Sequence, residues 1–285
     1  MKKRLNFEKY TFIIPVSIWM IIFMAVPIIY IVFISFLQRG VNGGIDFVFS
    51  FSNYKRIMSP LYFKVFSNSL SIAFITMVFT LIFGYPFAYF VSKIPKKFRT
   101  LAIILIIVPF WTNSLIRTYA WMNLMSTEGV INSILVKFNI INEPLKMLYT
   151  YGAVLLGMIY TLFPFMVLPI YNSIEKLESC YIDAAKDLGA GKLKTFFTII
   201  FPLTMPGVLA GCILVFIPSL GLFYISDLMG GSKVMLIGNL IRNQFLVSRD
   251  WPFGAAISIF MIVVTLILTT ISIKLVGKKT DMEVF

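Results

Sequence analysis

The chain has no histidine, two cysteines and only 12 acidic residues among its 285. Without histidine it lacks the commonest metal ligand and the commonest general base at neutral pH, so enzymatic chemistry is hard to assemble. Cys180 and Cys212 both fall on the side that the charge pattern assigns to the cytoplasm, where they are expected to stay reduced and structural rather than form a disulfide. No apolar stretch holds a pair of carboxylates, which argues against a transporter driven by an ion gradient and against an intramembrane hydrolase. No G-x-x-x-x-G-K-[ST] loop is present either, so no nucleotide site is expected in this chain.

What is abundant is apolar sequence. Hydrophobic residues make up 59% of the chain, charged residues only 13%, and the mean hydropathy is +0.91. No soluble domain needs that composition, and a bilayer core takes about 20 apolar residues per helix. Six stretches qualify as spans, roughly 11–37, 66–92, 101–125, 151–172, 203–226 and 253–277. The loops between them are too short to fold alone, so residues 1–285 are read as one all-α transmembrane domain. Met1–Leu37 starts with charge like a signal peptide, but its apolar run is too long and has no clear small-residue cleavage site, so it is read as a retained first span.

The net charge is +13, and its placement says more than its size. With the N-terminus inside, 15 Lys and Arg fall in inner segments and nine in outer ones, with Arg117 in a span. The inner set includes Lys2, Lys3, Arg4 and Lys9 and the loop Lys93–Arg99. By the positive-inside rule both termini face the cytoplasm. Positive charge concentrated at the inner face implies contact with membrane lipid, not nucleic acid.

The third span is chemically odd. It contains Pro109, Trp111, Asn113 and Arg117, which are costly in lipid and tolerated where they face protein or a water-filled cavity. Arg117 lies about 24 Å along the helix from its inner end near Leu101, close to the outer rim. Tyr160 and Pro164 fall near the middle of span four, and Asp227 closes span five beside Tyr224. The loop 126–150 carries Glu128 and Glu143 and has room for a short helix.

The one long polar break in the second half lies at 175–194. Leu177, Tyr181, Ala184, Ala185 and Leu188 recur at helical spacing there, among Glu178, Asp183, Lys186 and Asp187. This predicts a short amphipathic helix ended by Gly189 and Gly191, followed by re-entry into lipid. Asp183-Ala184-Ala185, three residues, Gly189, nine residues, Ile199, one residue and Phe201-Pro202 resembles the "EAA" loop of importer-type ABC transporter membrane subunits. Asp183 stands where that pattern has Glu, and Phe201 where it has Leu. The resemblance implies the importer-type (MetI-like) permease fold of about six helices. It also implies a cytoplasmic coupling loop at about 173–202, with Asp183, Ala184, Ala185, Gly189 and Pro202 meeting a separate ATPase.

Four further stretches point to one branch of that family. PFWTNSLIRTYAW (109–121), FYISDLMGG (223–231), IGNLI (237–241) and RDWPFGAA (249–256) resemble the B-type permease subunits of spermidine/putrescine importers. The resemblance covers nearly the whole chain. It implies a bacterial inner-membrane importer with a second permease subunit, an ABC ATPase dimer that binds ATP and magnesium, and an extracytoplasmic polyamine-binding protein. A path for a flexible chain of methylenes and ammonium groups needs aromatic faces and a few carboxylates. Trp111, Asn113, Tyr119, Tyr160, Tyr224 and Asp227 are the candidates. Arg117 would repel such a cargo if free, so it is expected to pair with Asp227 or Glu128 or to face the sister subunit. An importer of the same architecture for iron, phosphonate or sulfate is the alternative.

Overall fold

The computed structural model describes residues 13–41 and 43–280. Lys2, Lys3, Arg4 and Lys9, which carry much of the orientation argument, lie outside the described residues. Five helices are long and apolar enough to cross a membrane, and six if one bent pair counts as a span. They are α1 (Ile13–Ser35), α3 (Pro60–Lys93), α7 (Tyr151–Glu175), α9 (Lys192–Gly221) and α12 (Trp251–Thr280). The bent pair comprises Lys96–Trp111, which contains α4 (Lys96–Ile107), and Ser114–Lys137, which contains α5 (Ser114–Met125) and α6 (Val130–Lys137). Shorter helices complete the set: α2 (Ser52–Ile57), α8 (Ser179–Asp187), α10 (Phe223–Gly230) and α11 (Ile237–Leu246).

Two sequence expectations need correction. Span three is not one straight helix: it passes through a 3-10 turn at Val108–Trp111, turns extended at Thr112 and restarts at Ser114, with a 97° bend. Asn113 is the hinge, its side chain accepting a 2.8 Å hydrogen bond from the Leu115 amide as the N-cap of α5. Span five starts earlier than 203 and stops at Gly221, where Leu222 breaks the helix before α10. The early start works because residues 196–200 form a π turn in which the Phe201 amide bonds back to Phe196, just before Pro202, which has no amide to offer. The loop after α1 also holds a small antiparallel hairpin, Leu37–Arg39 with Ile45–Phe49, turned at Gly43 and Gly44 with φ of +88° and +83°.

The chain divides into two compact units. One comprises the described residues of Met1–Phe63 with Leu240–Val264. Here Phe36 packs against Phe49, Phe51 and Tyr54, and the buried Asn53 amide donates to the carbonyls of Ser35 and Leu37. Asp250 is 2% exposed and serves two partners: it receives the Phe253 amide as N-cap of α12 and a 2.7 Å bond from Arg56. The Arg56 guanidinium lies 3.9 Å over the Phe253 ring and donates to the Tyr62 hydroxyl. Burial disfavours its charge, but the bonds to Asp250 and Tyr62 outweigh this and raise its pKa further. Asp250→Ala removes both a cap worth about 1 kcal/mol and a charge-assisted hydrogen bond worth about 1.5–3 kcal/mol. Because Arg56 is 44% exposed and regains water, the expected loss is about 2–3 kcal/mol, read from denaturant unfolding in mild detergent.

The other unit, Lys64–Asn239 with the described part of Thr265–Phe285, carries two apolar clusters. Tyr85, Leu162, Met166, Ile170, Val208 and Val215 from α3, α7 and α9 form the first. Ile72, Met125, Val154, Met158, Ile225 and Met229 from α3, α5, α7 and α10 form the second. Helices α7 and α9 approach closely along Gly207 and Gly211, a G-x-x-x-G spacing that lets backbones meet. The halves that follow the two breaks, α5 and α10, pack on each other and on α7.

Candidate functional site

The candidate residues fall into two groups, one at the end of the α7 and α9 helices and one around the broken spans. The first is α8. Gly189 has φ +76°, and its amide bonds to the Lys186 carbonyl while the Ala190 amide bonds to that of Ala185. This is the Schellman closure of a helix C-terminus. Nothing lies within 4 Å of where a Gly189 side chain would sit, so backbone conformation, not space, calls for glycine. Asp183 and Lys186 pair at 2.9 Å on the helix surface. The hydrogen bond that Lys186 donates to Asp183 raises the Lys186 pKa, but so exposed a pair contributes little to stability.

The apolar stripe of this helix divides in two. Ala185 is buried against the protein, whereas Tyr181, Ala184 and Leu188 are exposed, Leu188 at 88%. An exposed apolar ridge at positions i, i+3 and i+7, outside the spans, has the form of a surface that a protein partner covers. The root of α8 is held by Arg99, which donates to Glu175 at 3.1 Å, to the Ser92 carbonyl at 2.7 Å and to the Ile94 carbonyl at 3.4 Å. It thereby ties the last residue of α7 to the C-terminal end of α3. Sequence reasoning missed both Arg99 and the glycine pair 207/211. The pair was legible from its spacing, whereas Glu175 stands 76 residues from Arg99.

In the second group, Asp227 on α10 is half-buried and accepts a 2.5 Å hydrogen bond from the Asn239 amide, which also donates to the Phe223 carbonyl. The Asn239 oxygen receives the Leu236 amide, and Ser226 donates to the Val234 carbonyl. These bonds fix the fold-back between α10 and α11 and give the FYISDLMGG and IGNLI stretches a structural reason. Tyr160 and Trp121 meet edge to face at 5.4 Å, and both Trp121 and Tyr224 pack on the second apolar cluster. Trp111 at 82% exposed and Tyr119 at 53% lie on the outside, as does Glu128.

Arg117 does not make the expected ion pair. Its guanidinium carbon lies 4.2 Å from the Phe110 ring centroid and 5.9 Å from that of Tyr160. Its Nε and Nη1 are buried without a hydrogen-bond partner. The bend at Asn113 explains this: it folds the first turn of α5 back over the 3-10 turn that bears Phe110. Phe110, Trp121 and Tyr160, with Pro109, Phe163 and Pro164, line a cavity of about 370 Å³.

Residues 14–281 match the family described as the binding-protein-dependent transport system inner membrane component. The chain belongs to this family. It is 47% identical over 274 residues to the spermidine/putrescine transport system permease protein PotB of Escherichia coli (strain K12), covering 95% of this chain and 100% of that one. It is 43% identical over 281 residues to the protein of the same description from Haemophilus influenzae, covering 98% of both. Among solved structures, a bacterial ABC transporter involved in the import of the acidic polysaccharide alginate superposes with a TM-score of 0.79 at 16% identity, covering 96% of each chain. The fold is thus that of an ABC importer permease, seated in the inner membrane.

Proposed function

We propose that this chain is the permease subunit of an ATP-driven polyamine importer and forms half of its translocation pore. The likeness over nearly the full length to permeases described as transporting spermidine and putrescine is the observation that carries the substrate. A second permease subunit completes the pore, and an extracytoplasmic binding protein delivers the polyamine. An ABC ATPase dimer, which holds the ATP and magnesium, docks on α8 from the cytoplasm, and both termini lie on that side. Ala185 seats the helix, Tyr181, Ala184 and Leu188 face the ATPase, and Asp183, Gly189 and Pro202 hold the segment in shape.

The path runs along the broken spans, where irregular backbone is tolerated only beside protein or a water-filled cavity. Asp227 offers the charge, Tyr160 and Tyr224 the aromatic faces, and the exposed Trp111 and Tyr119 belong to the wall shared with the second subunit. Asn113 serves the path by shaping the bend. Asp227→Asn is expected to raise the KM for spermidine uptake about tenfold, the equivalent of one lost charge-assisted contact of about 1.4 kcal/mol. The assembled complex with its binding protein should take up radiolabelled spermidine in competition with putrescine. Competition by sulfate, a phosphonate or ferric iron instead would transfer the chain to a different cargo.

A further inference from the structure

We propose that the aromatic cavity between the bend of span three and α7 is a site for an organic ammonium group, and that Arg117 is a tethered cation competing for its rings. The polyamine cargo of this proposal rests on the function argued above; the cation site does not. A guanidinium already lies within cation–π range of Phe110 and Tyr160, so the rings hold positive charge in this structure. No carboxylate among the described residues shares that task, since Arg117 makes no ion pair. The adjoining space of about 370 Å³ is of ligand size and walled by Phe110, Trp121, Tyr160 and Phe163, suited to methylenes beside an ammonium.

Arg117 is also a poor permanent occupant. Its buried Nε and Nη1 find no acceptor, and they regain hydrogen bonds as soon as the guanidinium swings into water. It therefore holds the rings when no cargo is present and yields to a ligand that binds them better. A polyamine, with a second ammonium held elsewhere on the path, wins that contest by multivalency; a monoamine has one charge against one tethered charge and loses. A residue whose charge opposes a cationic cargo thus becomes the device that selects for several charges.

The test uses the whole importer complex carrying Arg117→Ala, or Arg117→Met should the alanine variant fail to assemble. Ethylguanidinium is the probe, followed by saturation-transfer NMR. It is expected to bind the variant about tenfold more tightly than wild type, because the competitor is gone, and a second change, Phe110→Leu, should abolish that gain. In proteoliposomes the variant should show a fall of about three- to tenfold in the KM for spermidine and new uptake of butylamine. Equal ethylguanidinium binding by wild type and variant would overturn the site. Tighter ethylguanidinium binding with an unchanged or raised spermidine KM would overturn the competition. A wild-type complex that moves no polyamine at all would instead sink the cargo assignment, with the ethylguanidinium comparison still deciding the site.

Discussion

Gly207→Leu is expected to abolish transport by preventing α9 from seating on α7. A Cβ at position 207 would stand 2.4 Å from the Ser173 hydroxyl oxygen and 2.6 Å from both the Pro169 carbonyl oxygen and the Ser173 Cβ. The Pro169 oxygen is backbone and cannot rotate away, so α7 itself would have to move. One turn on, a Cβ at Gly211 would meet the Met166 sulfur at 2.8 Å and its carbonyl oxygen at 3.1 Å. Inserting four carbons into such a contact costs about 3 kcal/mol or more. That is a large share of the roughly 5–15 kcal/mol by which native proteins are stable. The first apolar cluster, to which Val208 and Val215 contribute from this helix, should loosen with it. Size-exclusion profiles of the complex in detergent and uptake in vesicles check this. Gly191→Ala is the matched control: nothing lies within 4 Å there and φ is −67°, so assembly and uptake should survive.

The second large effect is expected at the tip of α8. Leu188→Asp should leave membrane insertion and the fold intact, because an 88% exposed side chain has almost no internal packing to lose. It should nevertheless abolish ATPase docking and transport. Burying a leucine at an interface contributes about 1.5–3 kcal/mol. A carboxylate forced into the same apolar pocket adds a desolvation cost of about 2 kcal/mol or more. Together these weaken association by about 10²-fold or more. Pull-down of the ATPase by the assembled permease pair, with spermidine uptake measured alongside, reads both consequences. Normal docking with lost transport would move the defect from binding to the transmission of motion through Arg99 and Glu175.

The spans were legible because an apolar run of bilayer length is hard to keep in water, and the helix α8 because its apolar stripe and its terminal glycine agree on one element. The breaks were harder. Asn113 is a good N-cap residue ahead of Ser114 and Leu115, so a restart of the helix was available as a signal, but the greasy run on both sides masked it. The break at Leu222 has one local sign, the preceding Gly221, but the Leu, Phe and Tyr around it suit a continuing helix and masked it. Arg117 was misplaced for the same reason: a straight span carries it toward the rim, whereas the bend lays it on Phe110. The Arg56 and Asp250 contact spans 194 residues, beyond the reach of any periodicity. Among the path candidates, the residue types were readable, but whether an aromatic side chain packs inside, as Tyr160 does beside Trp121, or stands outside, as Trp111 does, is decided only by the fold.

The most direct measurement is radiolabelled spermidine accumulation in proteoliposomes holding the complete complex, recorded with ATP, without nucleotide, and with ATP plus Leu188→Asp in this chain. Accumulation only in the first condition is predicted, with ATP consumed in step. Accumulation that persists without nucleotide, or that is indifferent to the exposed ridge of α8, would contradict a permease driven through that helix.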